Sequence, residues 1–147
     1  MAKGFTISFE GLEETIKELK TTVADIEEKV DFAFGVNVEA MATEAKNRTP
    51  VDMGRLRTSI SANKQAKYQY ELVAGVFYAP YIEFGTGKYA ATYVKSIDPE
   101  WQRLALQFYV NGQGTIPERP FLYPAYKRIF PILVKDIQNL VNKDVRL

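Results

Sequence analysis

From Leu12 onward the apolar residues fall at Leu12, Ile16, Leu19, Val23, Ile26 and Val30, at spacings of 4, 3, 4, 3 and 4, which draws one stripe down an α-helix. No other segment of the chain is as periodic. The stripe runs on through Phe34, Val38, Met41 and Ala45 after a one-residue shift of phase. Thr49-Pro50 then stops it, because the residue before a proline is driven out of the α region. A helix of about 36 residues is roughly 54 Å long, whereas a compact chain of this size is only ~30 to 40 Å across. Part of the helix therefore projects or lies on a neighbouring copy, unless Gly35 breaks it into two shorter helices within one compact unit.

Around this helix the remaining signals are short. Phe5-Thr-Ile-Ser-Phe9 alternates apolar and polar as a half-buried strand does. The stretches Leu56 to Lys67 and Tyr68 to Phe77 are rich in Ser, Ile, Tyr and Val and read as an antiparallel hairpin turning around Lys64 to Tyr68. Asp98-Pro99 is a helix start, with Asp98 as the cap and the helix ending near Leu106. Gln107 to Ile116 contains Asn111-Gly112, a hairpin dipeptide, and predicts a third strand or hairpin. From Pro124 to Lys143, Ile129, Leu133, Ile137, Leu140 and Val141 share one helical face, with a kink expected at Pro131. The fold class is α+β: a long N-terminal helix and a C-terminal helix packed on a small, mainly antiparallel sheet, with a mobile central insertion. One domain is expected over 1–147. Strand and long helix take 1–48, hairpin and short helix 49–84, the insertion 85–116 and the last helix 117–147.

The residue inventory excludes most chemistry. With neither cysteine nor histidine in 147 residues, the chain lacks a disulfide framework, a thiolate nucleophile, the usual general base near neutral pH and the usual zinc ligands. No metal or other cofactor is expected. Lys and Arg total 19 against 18 Asp and Glu, for a net charge of +1, so there is no overall electrostatic pull toward nucleic acid or an anionic membrane. No apolar run has signal-peptide or membrane-span length, which points to synthesis in a cytoplasm and no membrane partner. Charge is nonetheless uneven. Residues 10–31 carry eight acids against three lysines, while 46–103 and 118–147 are both net basic. Such an asymmetry is either solvated surface or the basis of head-to-tail contact between identical copies.

Three short stretches are over-specified for a generic fold: Thr49-Pro-Val-Asp-Met-Gly-Arg-Leu-Arg57, Tyr78-Ala-Pro-Tyr-Ile-Glu-Phe-Gly-Thr-Gly87 and Arg119-Pro-Phe-Leu-Tyr-Pro-Ala125. In the first, Pro50 ends the helix, Asp52 is placed to form an Asx-type turn and Gly54 offers a backbone conformation denied to other residues. Arg55 and Arg57 emerge opposite Leu56 if a strand begins here, facing solvent, DNA phosphate or a neighbour's carboxylate. In the second, Tyr78, Tyr81 and Phe84 recur every three residues and give a short helix with an apolar side. Gly85-Thr86-Gly87 lacks the Lys-Ser/Thr pair of a phosphate loop and reads as a flexible loop folding onto an adjacent subunit. In the third, Arg119-Pro120-Phe121 is an extended lead-in and Pro124 begins the last helix. Asp52 and Glu83 are the only carboxylates inside motifs. As a pair they could in principle do acid–base work, but no nucleophile or metal set accompanies them, so the chain is not read as an enzyme. Lys64, Lys67, Tyr68 and Tyr70 interleave cations and aromatics on the hairpin, the pattern of a nucleic-acid-binding module.

Together the three stretches resemble a family of minor tail components of long-tailed bacteriophages, the tail-completion or neck proteins that sit where the DNA-filled head meets the tail. The patterns matched are T-P-x-D-x-G-x-L-R-x-S, Y-A-x-Y-x-E-F-G-T-G and R-P-F-L-x-P-A. Met53, where the family often has a small residue, and Tyr123, where it often has a basic one, depart from the pattern without touching its glycines or prolines. The resemblance implies a structural protein of the virion, assembled in the host cytoplasm as a homo-oligomeric ring that joins head to tail and leaves a DNA channel. The implied partners are further copies, head-closure, tail-terminator or tail-tube proteins, and at most non-specific contact with DNA.

Overall fold

From Ala24 on, the periodic stripe folds as one unbroken helix, α1 (Ala24–Arg48), in the computed structural model, which describes residues 4–10, 24–108 and 113–144. The expected helix over 12–23 lies outside the described residues. Ile26, Val30, Phe34, Val38, Met41 and Ala45 are each at most 3% exposed, and burying a side chain of this kind stabilises by about 1.5–3 kcal/mol. Gly35 does not break the helix. A Cβ there would lie 3.1 Å from the Tyr70 ring, and the missing side chain lets that ring stack on Phe34 at 5.1 Å.

The Tyr70 ring arrives from a three-stranded antiparallel sheet of order β1-β3-β2, built of β1 (Phe5–Phe9), β2 (Ile60–Ala66) and β3 (Gln69–Ala74). The register sets Phe5 opposite Ala74, Phe9 opposite Tyr70 and Ile60 opposite Ala74. Phe5, Phe9, Ile60, Tyr70, Leu72 and Ala74 are thereby buried on the helix side. The hairpin is shorter than its sequence signal. Residues 54–58 form a helical turn, α2 (Gly54–Thr58), rather than the start of a strand. Leu56 and Ile60 are both buried, and their spacing of four suits a helical turn. The amides of Arg57 and Ser59 close that turn onto Met53 O and Arg55 O.

The central stretch is helical. α3 (Ala79–Phe84), α4 (Gly87–Val94) and α5 (Pro99–Ala105) follow one another, and Val94, Ile97, Trp101 and Ala105 enter the core of the single chain. The expected mobile insertion is therefore supplied with apolar cover from within, because Trp101 packs edge-on against Tyr123 at 5.1 Å and beside Tyr126. Residues 113–120 form no strand, and 109–112, with the hairpin dipeptide, lie outside the described residues. Asp98 precedes α5 as expected, but its carboxylate pairs with Lys127 instead of capping.

The last helix, α6 (Leu122–Asp144), runs through Pro131 and packs antiparallel on α1. Leu133 and Ile137 supply buried contacts. Two polar ties fix the pairing: the buried Asn37 amide donates to Asp136 Oδ2 at 3.0 Å, and Arg128 pairs with Glu44 at 3.1 Å. No helix among the described residues is long and apolar enough to cross a membrane.

Candidate functional site

The three motif stretches, distant in sequence, meet at the entrance to α6. A helix begins with backbone N–H groups that have no partner inside the helix. At α6 those of Phe121, Leu122 and Tyr123 all donate to Glu83, the first two to Oε2 and the third to Oε1, each at 2.8 Å. Glu83 is fully buried. Burial pushes its carboxyl up to about 7, against the pull of the Leu122, Phe121 and Tyr123 amides. The positive end of the α6 dipole favours the anion as well. The Tyr93 hydroxyl titrates above the ordinary phenol range, first through burial and then through the charge of Glu83. Asp52 and Glu83 thus have separate duties. The Asp52 carboxylate is exposed and pairs with Arg119 at 3.4 Å, tying the first stretch to the third.

Gly85 explains why the second stretch needs its glycine. Its φ is +77°, and a Cβ would stand 2.8 Å from Glu118 N and 3.0 Å from Ile116 O. The chain at 116–119 crosses at that point: Thr86 N–H donates to Ile116 O, Ile116 N–H donates to Thr86 Oγ1, and Arg119 N–H donates to Ile82 O, all at 2.8 Å. Gly87, also at positive φ, opens α4. A helix does stand behind the Gly-Thr-Gly loop, but the Thr86 amide is already occupied by Ile116. The loop folds onto its own chain. Phe84 packs on Phe5 with ring centroids 5.8 Å apart, Tyr78 and Tyr81 are half-buried, and Phe121 is fully buried. Pro120 lies in the lead-in and Pro124 within the first turn of α6.

The first stretch is a corner held differently from its sequence reading. Met53 N–H donates to Pro50 O at 3.0 Å, and the Asp52 side chain turns to Arg119 rather than forming an Asx turn. Gly54 has a negative φ and open space around it, so it carries no backbone requirement. Arg57 Nε donates to Lys46 O at 3.1 Å, satisfying a carbonyl in the last turn of α1, where a cation also suits the dipole. The Arg55 side chain has no hydrogen bond or ion pair among the described residues.

The acidic α1 and the basic hairpin meet within the chain. Lys64 pairs with Asp31 at 2.5 Å and Lys67 with Glu27 at 2.6 Å. Asp31 also accepts from Tyr68 N–H at 2.9 Å and from the Tyr70 hydroxyl at 3.1 Å. Partial burial opposes its charge, but these donors and the Lys64 ammonium hold its carboxyl below the usual range. Tyr68, at φ 63°, is held in a turn that side chains rarely adopt. Tyr68 and Tyr70 are buried against α1, so neither ring presents a free face to a base. Sequence reasoning missed Asp31 and Asn37, which sit at helical positions facing other elements and carry no local motif.

The family model of HK97-gp10-like bacteriophage tail components matches residues 10–85. No curated protein matches the chain, and no solved structure does. The matched span is just over half of the chain and holds the first stretch entire and the second as far as Gly85, to which the third is joined through Glu83 and Arg119. This chain therefore belongs to the HK97-gp10-like family of bacteriophage tail components.

Proposed function

We propose that the protein is a structural component of the phage neck or tail top, forming an oligomeric ring that joins the DNA-filled head to the tail and leaves a channel for DNA. Membership in a tail-component family carries the reading, and it makes the protein part of the virion. The motif geometry supports it: Glu83, Asp52, Gly85 and Arg119 fasten elements to one another. The motif residues in this reading build a rigid subunit, with Arg55 and the Pro50 corner left for contact with neighbouring proteins. The partners proposed are further copies together with head-closure, tail-terminator or tail-tube proteins. The basic-hairpin alternative loses its main support, because Lys64 and Lys67 are paired in cis with Asp31 and Glu27.

Deletion of the gene tests the proposal. Electron microscopy of the lysate is expected to show filled heads and separate tails. Normal infectious particles from the deletion would overturn it.

A further inference from the structure

The ring reading leaves open which surfaces of neighbouring copies meet, and the structure offers two that fit. The first is the outer face of α1. Glu28, Phe32, Val36 and Glu39 follow at spacings of 4, 4 and 3, opposite the buried stripe, so they form one ridge. Phe32 is 73% exposed and Val36 50%. A groove of about 950 Å³ runs on the hairpin side of this ridge and an apolar one of about 380 Å³ on the α6 side. Glu28 and Glu39 have no ion pair among the described residues. An aromatic ridge between two grooves and two unanswered carboxylates calls for an apolar knob accompanied by a cation.

The second surface has that chemistry. Val51, at 93% exposure, is the most exposed large apolar side chain described. It stands on the corner stiffened by the Met53–Pro50 backbone bond and the Asp52–Arg119 pair. Arg55, just beyond it, is exposed and has no partner among the described residues. From Val36 to the end of α1 at Arg48 the helix rises roughly 18 Å, so a chain cannot fold its own corner back onto its own ridge. Contact between them is necessarily between copies, and it is heterologous, the kind that closes into a ring when the rotation permits.

Resting on the ring reading, we infer that the Val51–Arg55 corner of one copy docks on the Glu28–Glu39 ridge of the next, Val51 seating beside Phe32 and Val36 and Arg55 pairing with Glu39. Apolar contact supplies affinity, and the charge pair sets direction and register. Ridge-to-ridge contact is disfavoured because it would bring the carboxylates of two copies together.

The test uses the full chain, with native mass spectrometry and light scattering across a concentration series. Val51→Asp and Phe32→Ser alter exposed groups, so each is expected to keep the wild-type Tm while weakening self-association by about thirtyfold, the effect of losing an interface hot spot. Glu39→Arg and Arg55→Glu are each expected to weaken it, and the double reversal to restore it. Four results overturn the inference. If Val51→Asp and Phe32→Ser still form the wild-type oligomer, the ring reading stands and these surfaces are wrong. If the ridge variant weakens assembly and the corner variants do not, the contact is ridge to ridge. If both single reversals weaken assembly and the double fails to rescue, the two surfaces do not face one another. If the wild type is a monomer at every concentration, alone and with the neck proteins, the ring reading falls and the docking with it.

Discussion

Glu83 shows how much a single buried group can decide. Its carboxyl is raised from 4.5 to about 7, so the folded chain holds a proton that the unfolded chain has already released. The stability this supplies is complete below about pH 4.5 and is lost as the pH rises to about 7, a change of about 3 kcal/mol. Urea denaturation is expected to show the wild type less stable at pH 8 than at pH 5. Glu83→Gln should flatten that slope, and its amide nitrogen cannot accept a bond from a backbone N–H, a loss of about 1–3 kcal/mol at pH 8. Asp31 runs the other way. Its lowered pKa gives stability that is present near neutral pH and lost on acidification through the carboxylate range. The glycines offer a second contrast. Gly85→Ala places a Cβ 2.8 Å from Glu118 N at positive φ, and a cost of about 2–4 kcal/mol is expected in the same denaturation experiment. Gly54→Ala, in open space at the start of α2, is expected to stabilise by about 0.4–1 kcal/mol.

At the scale of elements, the hairpin and α1 are joined by a polar seam as well as by the Phe34–Tyr70 stack. Asp31→Ala removes the carboxylate that accepts from Lys64 and Tyr68 N–H, and leaves the Tyr70 hydroxyl with only the Asp31 main-chain oxygen. A loss of about 2–3 kcal/mol is expected, with faster hydrogen exchange at Tyr68. Lys67→Ala removes an exposed pair and an ammonium 5.4 Å from the centre of the Tyr68 ring, and is expected to change stability by about 1 kcal/mol. The same seam marks where the sequence stops being readable. Long periodic elements announce themselves, because α1 and α6 repeat their apolar residues over several turns and β3 alternates. α2 does not, since five residues hold barely one turn, and Arg-Leu-Arg suits a strand as well as a helix until the corner before it is known. Asp31 was silent for a related reason: in a helix crowded with acids, only the approach of the hairpin distinguishes the one that is used. The Glu83 role was equally hidden. Its partners are backbone amides 38 to 40 residues away, and amides leave no signature in a sequence. The Gly-Thr-Gly loop was visible as glycine-rich, but what crosses it at 116–119 was not.

For the whole molecule, two pairs between the acidic helix and the basic hairpin, Lys64–Asp31 and Lys67–Glu27, lie inside one chain, so that part of the charge asymmetry is used in folding. In the docking proposed above, self-association rests on the Arg55–Glu39 pair and on exposed apolar groups. Raising NaCl from about 0.05 M to about 0.5 M should weaken the oligomer only modestly, because screening removes the Arg55–Glu39 attraction and leaves the apolar contact. Analytical ultracentrifugation at the two salt levels measures this, and complete dissociation would show that charge alone holds the copies together. The Glu83 junction also has a consequence in time. A ribosome makes the carboxylate 38 residues before the first amide that will receive it. Until then the nascent chain holds a group that is costly to bury, which keeps the region around α3 from closing early. The start of α6 supplies the amides that offset this cost, so the region around α3 gains its full stability only once α6 has been made.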